Sequence, residues 1–399
     1  MTPAATDPPF VFVLPEAERY GADGGAIATV THELVLALAD AGDGSVVVSP
    51  RSAGLPYAGG EVVTLARSGD PASRVHGAAR RVLAKLAPRR FGARSRYLAE
   101  VERVLARRQS RCIVAANDPA LATRLAADGR TVVLWLHNYL QGAEADALRR
   151  VPPSVRMVAV SESVRRWTVD ELGIAAGQVV TIPNAVNHEL FHARGRAPRP
   201  DRPLEVVCHG RVDPNKGQVL AVRAVARARE LGAEVRLTII GGALSFGHPG
   251  GAQQQYEREL HALADRTGAV LAGRVPADRV AQRLREFDAA LVLPLVPEPF
   301  GLVAVEAMAS GCAVITTGLG GLADVVGGAA LVVAPEVEAV AAALVRLVGD
   351  EGLCRELSVR GVARAATFSW RNAAGALAAL VAGDERAAAL SAVPGHALS

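Results

Sequence analysis

Residues 298–311 read Glu298-Pro299-Phe300-Gly301-Leu302-Val303-Ala304-Val305-Glu306-Ala307-Met308-Ala309-Ser310-Gly311 and follow the apolar run 289–293. Such a short apolar run is typical of a strand buried on both faces of a parallel sheet. The apolar residues after Gly301 predict a helix. Strand, loop and helix form the repeating unit of α/β folds, whose ligands bind where the strands end. The segment therefore predicts an α/β domain with a ligand site at this loop.

Two carboxylates bracket the predicted helix. Glu298 would lie where the strand ends, and Glu306 about two turns into the helix. Ionised carboxylates accept hydrogen bonds from hydroxyls, so this pair suits a ligand with vicinal hydroxyls at both ends. Between them, the backbone amides of Gly301, Leu302 and Val303 at the positive helix end would bind a phosphate. The structural alternative is that Glu298 caps the helix and Glu306 lies on a solvated face.

A second signal is a lysine in a chain that has almost none. The chain has 44 Lys and Arg residues, but only Lys85 and Lys216 are lysines. A lysine in a chain whose other basic residues are almost all arginine indicates a specific need for a compact ammonium group. After the apolar run 204–208, Lys216 lies in the string Gly210-Arg211-Val212-Asp213-Pro214-Asn215-Lys216-Gly217. The alternative is a basic turn that starts a helix.

Both segments resemble the donor site of family 4 glycosyltransferases. The resemblance rests on Pro299-Phe300-Gly301, on Glu306-Ala307-Met308 and on the string 210–217. It implies a retaining enzyme that moves a sugar from a nucleotide diphosphate to an acceptor. It also implies the GT-B fold, an α/β architecture of two facing, doubly wound, Rossmann-like domains with an inter-domain cleft.

The resemblance assigns roles to residues in both halves of the chain. The residues expected to act in catalysis are His137, Arg211, Lys216 and Glu298. The residues expected to bind the donor are Gly24, Gly25, Gly210, Gly242, Gly273, Arg274, Phe300, Gly301, Leu302, Val303 and Glu306. The residues expected on the acceptor side are Asp23, Asn138 and Ser161. His137 and Ser161 have simpler alternatives. A single histidine is usually structural, and Ser161 would also cap a helix.

No metal and no cofactor are expected. The sequence has no Asp-x-Asp pair, so it shows no ligands for the metal-bound diphosphate of the other main glycosyltransferase fold. Arg211, Lys216 and the helix amides would stabilise the leaving diphosphate instead. The sequence also lacks the dinucleotide fingerprint and the phosphate-loop lysine, which argues against a nicotinamide or ATP site.

The order of apolar runs and helical segments predicts two domains. Residues 1–196 would form the acceptor-side domain and residues 197–368 the donor-binding domain, joined by a segment rich in Pro and charge. A last helix at about 369–384 would return to the first domain, as the resemblance implies. Residues 385–399 have weaker patterning and would fray.

Composition is that of a large enzyme without a membrane span. The 399 residues are 50% hydrophobic, which permits substantial cores, but the longest apolar runs are too short to cross a bilayer. No signal peptide is apparent at the N-terminus. The cysteines show no metal-ligand spacing and are expected to be reduced core thiols of a cytoplasmic, bacterial protein: Cys112, Cys208, Cys312 and Cys354.

Residues 74–111 form a basic segment. They contain twelve Arg or Lys residues against Glu100 and Glu102, a balance of 12 − 2 = +10. Such a segment suits peripheral contact with the anionic inner face of a membrane or with a phosphorylated acceptor, and the alternative is solvated helix faces. Aromatic residues are scarce in this segment, so nucleic acid is not an expected partner.

The sequence therefore predicts a retaining hexosyltransferase. The donor would be a UDP-sugar or GDP-sugar, with UDP favoured, and the acceptor a hydroxyl of a small polar natural product, a sugar phosphate or a glycan. Two alternatives stay open: a nucleotide-sugar epimerase on the same scaffold, and a non-catalytic nucleotide-sugar binding protein. The sequence does not indicate the oligomeric state.

Overall fold

The protein is described here from a computed structural model that covers residues 9–21, 24–50, 57–65, 93–194, 202–242 and 251–384. The strands are β1 (Phe10–Val13), β2 (Ser45–Pro50), β3 (Glu61–Leu65), β4 (Cys112–Ala116), β5 (Val132–Leu136), β6 (Arg156–Ala159), β7 (Val179–Thr181), β8 (Leu204–His209), β9 (Val235–Ile240), β10 (Val270–Leu271), β11 (Ala289–Val292), β12 (Ala313–Thr316) and β13 (Ala330–Val332). The α-helices are α1 (Ala26–Asp40), α2 (Ala93–Leu105), α3 (Pro119–Ala127), α4 (Gly142–Leu148), α5 (Glu162–Arg166), α6 (Gln218–Glu230), α7 (Gly251–Thr267), α8 (Ala277–Leu284), α9 (Leu302–Ala309), α10 (Gly321–Val326), α11 (Val337–Gly349), α12 (Glu351–Ala365) and α13 (Trp370–Val381).

The strands form two parallel sheets. The first has the order β3-β2-β1-β4-β5-β6-β7 and the second the order β10-β9-β8-β11-β12-β13. Every paired strand in both sheets runs parallel to its neighbour. In each sheet the strand order reverses once, between β1 and β4 and between β8 and β11. This is the doubly wound α/β class, as predicted, and it places a ligand crevice at each reversal point.

Burial follows strand position in each sheet. All residues of the inner strands β1, β4, β5, β11 and β12 are buried. The edge strands β3 and β10 are partly exposed. Inner parallel strands are covered on both faces, which is why they read as continuous apolar runs in the sequence.

The chain divides into two compact units. Unit 1 contains the described residues up to Val160, together with Val164–Pro183 and the segment that begins at Trp370. Unit 2 contains Ser161–Ser163 and Asn184–Ser369. Helix α13 is thus part of unit 1, where it packs on α1.

The division between the units falls after Pro183, earlier than the predicted junction at 196/197. The segment that follows belongs to unit 2 because Arg285 donates to the carbonyls of Leu190, at 2.6 Å, and His192, at 3.2 Å. Phe191 between them is buried. The predicted junction rested on a segment rich in proline and charge. Neither feature indicates which long-range contacts the segment makes.

Three predictions lie outside the described residues. They are the role of Asp23, the structure of residues 74–92 in the basic segment 74–111, and the fraying of 385–399. Within the described part of the basic segment, Arg108 pairs with Glu61 at 2.6 Å and Arg111 with Asp43 at 2.8 Å. These two arginines therefore have partners within unit 1.

Candidate active site

The reversal point of the second sheet lies between β8 and β11. The chain leaves β8 toward β9 and leaves β11 toward β12, on opposite sides. The loops 210–217 and 293–301 therefore both leave the carboxyl ends of adjacent strands, where doubly wound sheets bind ligands. These loops carry the two sequence strings that predicted the donor site.

Glycines allow three loops to approach each other at this edge. Gly241 has φ 156°, and a Cβ there would lie 1.7 Å from the carbonyl oxygen of Gly210. The Gly241 amide donates to the carbonyl of Gly273 at 2.8 Å, and the carbonyl of Gly242 accepts from Val212 at 3.1 Å. The predicted donor residues Gly210, Gly242 and Gly273 thus belong to one backbone cluster. Arg274 continues it, with its Cβ packed beside Gly242.

Lys216 ends a 3-10 turn, Pro214–Lys216, that is fixed to the loop after β11. Asp213 caps this turn by accepting from the Asn215 amide at 2.9 Å. The Asn215 carbonyl accepts from the amide of Leu295 at 2.9 Å. Gly217 has φ 75°, and a Cβ there would lie 2.0 Å from the carbonyl oxygen of Leu293. The two loops are therefore in direct backbone contact.

The central contact of the site joins these two loops. Lys216 Nζ lies 2.5 Å from Glu298 Oε2, with side chains that are 29% and 19% exposed. The structure thus brings together the lysine and the first carboxylate that the sequence singled out. The guanidinium of Arg211 instead lies 3.5 Å from the carboxylate of Asp213, and the Arg211 side chain is 44% exposed.

The loop that carries Glu298 is held by the next β–α loop. The Glu298 amide donates to Leu319 at 3.1 Å, and its carbonyl accepts from Gly321 at 2.7 Å. Thr317 Oγ1 donates to the carbonyl of Pro294 at 2.7 Å. These hydrogen bonds fix the Glu298 backbone, so its carboxylate projects from a defined position.

Helix α9 starts at the same loop. Gly301 is its N-cap residue, with φ 97°, and none of the side chains that the structure describes caps this helix end. The amides of the first turn, including those of Leu302 and Val303, are therefore available to an anion. Phe300, which is predicted to bind the donor, has a buried side chain that packs edge-on against Phe368 at 5.5 Å between ring centroids.

Glu306 on α9 is paired with a residue that sequence reasoning missed. His209, the last residue of β8, places Nε2 3.0 Å from Glu306 Oε2. The His209 side chain is 3% exposed and the Glu306 side chain 22%. The two residues are far apart in the sequence, and only the adjacency of β8 and β11 brings them together. A histidine directly before Gly210 was the one available signal.

In unit 1, His137 lies at the end of β5, as predicted. Its amide donates to Asn117 Oδ1 at 2.7 Å, and its ring stacks on Trp135 at 6.0 Å between centroids. Burial lowers the pKa of His137 to about 3, so its imidazole is neutral at physiological pH. Asn138 beside it is exposed.

Gly24 and Gly25 of unit 1 lie against residues that precede them closely in the chain. A Cβ on Gly24 would lie 2.2 Å from the carbonyl oxygen of Arg19, and one on Gly25 2.8 Å from Glu18 Oε1. The Gly25 amide, at the start of α1, donates to Glu18 Oε1. Burial is the main cause that raises the pKa of the Glu18 carboxyl, and this hydrogen bond opposes it. Sequence reasoning did not find Glu18.

Ser161 is the remaining acceptor-side candidate. It is buried, and a Cβ on Gly321 would lie 2.5 Å from its Oγ. Two residues on, the Ser163 amide donates to Asp324 Oδ2 at 2.9 Å. Both contacts are within unit 2, so the segment Ser161–Ser163 belongs with the loops after β12.

Two family models match the chain. The model described as Glycosyl transferases group 1 matches residues 203–350, and the one described as Glycosyltransferase Family 4 matches residues 24–190. Together they cover both sheets. The chain belongs to the family 4 glycosyltransferases.

The chain is similar to D-inositol 3-phosphate glycosyltransferase from Nocardia farcinica. The two are 32% identical over 246 residues, which cover 59% of this chain and 47% of that protein. The chain spans about half the length of the first curated relatives it matches.

Solved structures of other proteins share the fold of this chain. Sucrose-phosphate synthase from Thermosynechococcus elongatus has a TM-score of 0.74 at 19% identity, covering 94% of this chain and 98% of that one. HepE from Anabaena, solved in complex with UDP-glucose, has a TM-score of 0.68 at 19% identity, covering 94% and 99%. The predicted GT-B fold is confirmed.

The described part of the chain contains neither a membrane-spanning helix nor a cluster of metal ligands. None of the helices in the described part of the chain is both long enough and apolar enough to cross a membrane. Among residues 9–21, 24–50, 57–65, 93–194, 202–242 and 251–384, no group of three or more His, Cys, Asp or Glu side chains is arranged to hold a metal ion.

Proposed function

We propose that this chain is a retaining glycosyltransferase that moves a hexose from a UDP-sugar to a hydroxyl of a small polar acceptor. The observation that supports this most is the Lys216–Glu298 contact across the reversal point of the second sheet. It sets an ammonium and a carboxylate beside the uncapped N-terminus of α9. A nucleotide diphosphate sugar needs all three groups, because it presents a diphosphate anion between two sets of hydroxyls.

The donor diphosphate would bind at the first-turn amides of α9 and at Lys216. Arg211 would join them, because an exposed ion pair at 3.5 Å holds its side chain only weakly. As the bond between the sugar C1 and the phosphate oxygen breaks, the bonding electrons pass to the diphosphate. These cations and amides would stabilise that developing charge without a metal ion.

The two carboxylates would orient the two ends of the donor. Glu298 would accept from hydroxyls of the hexose and Glu306 from hydroxyls of the ribose. The acceptor oxygen then bonds to C1 on the face from which the diphosphate leaves, and its proton passes to a departing phosphate oxygen. In unit 1, neutral His137 would serve as a hydrogen-bonding group, and Asn138 and Ser161 would serve on the acceptor side, as the resemblance implies.

UDP is preferred over GDP in this proposal for one reason. The structural neighbour HepE was solved with UDP-glucose, and it shares the fold over 94% of this chain. Once the nucleotide is known, a panel of donors would identify the hexose, and a panel of acceptors would identify the acceptor.

Calorimetric titration of UDP and GDP tests the proposal. We expect wild type to bind UDP, and Lys216→Ala to bind it at least about tenfold more weakly, a loss of about 1.4 kcal/mol. A matched control is Arg223→Ala, which removes the cation of another ion pair in unit 2, Arg223–Glu259 at 2.6 Å. We expect this control to bind UDP as wild type does, and EDTA to leave all affinities unchanged.

The outcomes separate the alternatives. If wild type binds neither nucleotide, the transferase proposal is wrong. If UDP binds and a UDP-hexose is converted without any acceptor, the epimerase alternative is favoured. Transfer is established when mass spectrometry detects a product only with acceptor present and proton NMR finds the donor's anomeric configuration in it.

A further inference from the structure

His209 occupies a position whose geometry the sheet fixes. It is the last residue of β8, paired in register with Ile240 of β9. Its side chain points to the opposite face of the sheet from Cys208, which belongs to the core between the sheet and α6. On the face of His209 lies α9, since Glu306 of that helix places Oε2 3.0 Å from His209 Nε2. His209 is therefore buried between the sheet and α9.

The contact with Glu306 defines which imidazole nitrogen carries a proton. A carboxylate only accepts hydrogen bonds, so the proton at the 3.0 Å contact must be on His209 Nε2. The other nitrogen, Nδ1, is buried and has no hydrogen-bond partner within the part of the chain that the structure describes. Within the described residues, the contact with Glu306 is therefore the polar contact that orients the ring.

The same contact restricts Glu306. One carboxylate oxygen, Oε2, is held by His209. Within the described ranges the other, Oε1, has no recorded hydrogen bond, and the side chain remains 22% exposed. A glutamate side chain ordinarily loses conformational entropy when it binds a ligand. A contact that fixes the side chain beforehand reduces this entropic cost of binding.

We propose that His209 is a positioning residue that makes this site selective for ribonucleotides. It holds Glu306 so that the outer carboxylate oxygen accepts from the 2′-hydroxyl of the donor ribose. This inference rests on the proposed function, because it assumes that a nucleotide binds beside α9. It goes beyond that function by assigning the selectivity to a buried histidine that does not contact the ligand.

The experiment compares UDP with 2′-deoxy-UDP by calorimetric titration. We expect wild type to bind UDP at least about tenfold more tightly, since the deoxynucleotide leaves Glu306 without its hydroxyl. His209→Gln keeps a donor near the position of Nε2 and should keep most of this ratio. His209→Asn has the same amide on a shorter chain and should bring the ratio close to one. Circular dichroism spectra and melting temperatures establish that both variants fold.

Two further variants test whether His209 acts through Glu306. Glu306→Ala should lose the same selectivity, and adding His209→Asn to it should have no further effect on the ratio. His261→Asn is the control, because His261 is an exposed histidine on α7 of the same unit. It should keep the wild-type ratio.

Several results would overturn the proposal. They are a wild-type ratio near one, equal ratios for His209→Gln and His209→Asn, or equal weakening of both nucleotides in His209→Asn with the ratio unchanged. The last result would mean that His209 only fills space. If wild type binds neither UDP nor GDP, the proposed function fails as well, so the two failures are distinguishable.

Discussion

The Lys216–Glu298 ion pair contributes little to folding by itself. Both side chains are partly exposed, at 29% and 19%, and pairs of this kind are worth about 0–1 kcal/mol. The surrounding backbone contacts, such as Asn215 to Leu295, already hold the two loops together. Replacing Lys216 should therefore change ligand binding much more than stability, which is why it suits the titration proposed above.

His137 predicts a pH dependence of stability. An unfolded imidazole has a pKa of about 6.5, and burial lowers the pKa of His137 to about 3. Between these values the unfolded chain binds a proton that the folded chain does not, so stability falls as pH drops below about 6.5. The loss from pH 6.5 to pH 5 is at most about 2 kcal/mol, and less because the side chain is partly exposed.

Melting temperatures at pH 7 and pH 5 measure this effect. We expect wild type to lose more stability over this range than His137→Gln, which removes the titrating group. His261→Gln, at an exposed histidine, should behave as wild type. Equal losses in wild type and His137→Gln would show that His137 is not desolvated as described.

At the scale of elements, glycine turns bring the strand ends of unit 2 into contact. Gly217 lies between the 3-10 turn of Lys216 and helix α6, in the left-handed conformation. Its missing side chain allows the carbonyl of Leu293 to approach. The position of Lys216 thus depends on both a backbone angle and a close backbone contact.

Gly217→Ala and Gly232→Ala separate these two causes. Both glycines have positive φ, at 75° and 87°, but only Gly217 has backbone atoms where a Cβ would lie. We expect Gly232→Ala to lower the free energy of unfolding by about 1–2 kcal/mol and leave UDP affinity unchanged. Gly217→Ala should lower it further and weaken UDP binding about tenfold or more, because the loop after β11 must move.

Chemical denaturation and UDP titration measure the two effects. Similar losses of stability in both variants, with unchanged UDP affinity, would mean that the Leu293 contact is easily relieved. The turn of Lys216 would then not depend on it.

The sequence predicted the elements of this site better than their contacts. Strand β11 and helix α9 were predictable because local apolar patterning determines them. Lys216 and Glu298 were found through composition and resemblance. The His209–Glu306 pair was not, because it depends on the adjacency of β8 and β11, which no local pattern encodes.

At the scale of the molecule, each unit is built from distant parts of the sequence. Helix α13, near the end of the described chain, packs on α1 in unit 1. Its residue Leu377 is fully buried. The GT-B resemblance predicted this return helix, whereas the junction between the units was placed too late, because Arg285 holds the segment around Leu190 to unit 2.

Leu377→Ala should therefore destabilise the beginning of the chain. Truncating a fully buried leucine costs about 2–5 kcal/mol, and in hydrogen exchange we expect faster exchange in β1 and α1 with little change in β8–β12. Leu344→Ala, at a fully buried leucine of α11, should have the opposite pattern. Faster exchange throughout both units in either variant would contradict the division into separate units.

The scarcity of lysine also has a chemical consequence. Apart from the N-terminus, the chain carries only two primary amines, and one of them is Lys216. An amine-directed acylating reagent would therefore modify very few positions, and peptide mass mapping would separate Lys216 from Lys85. Protection of Lys216 from such a reagent would report occupancy of the site for any candidate donor, without a substrate assay.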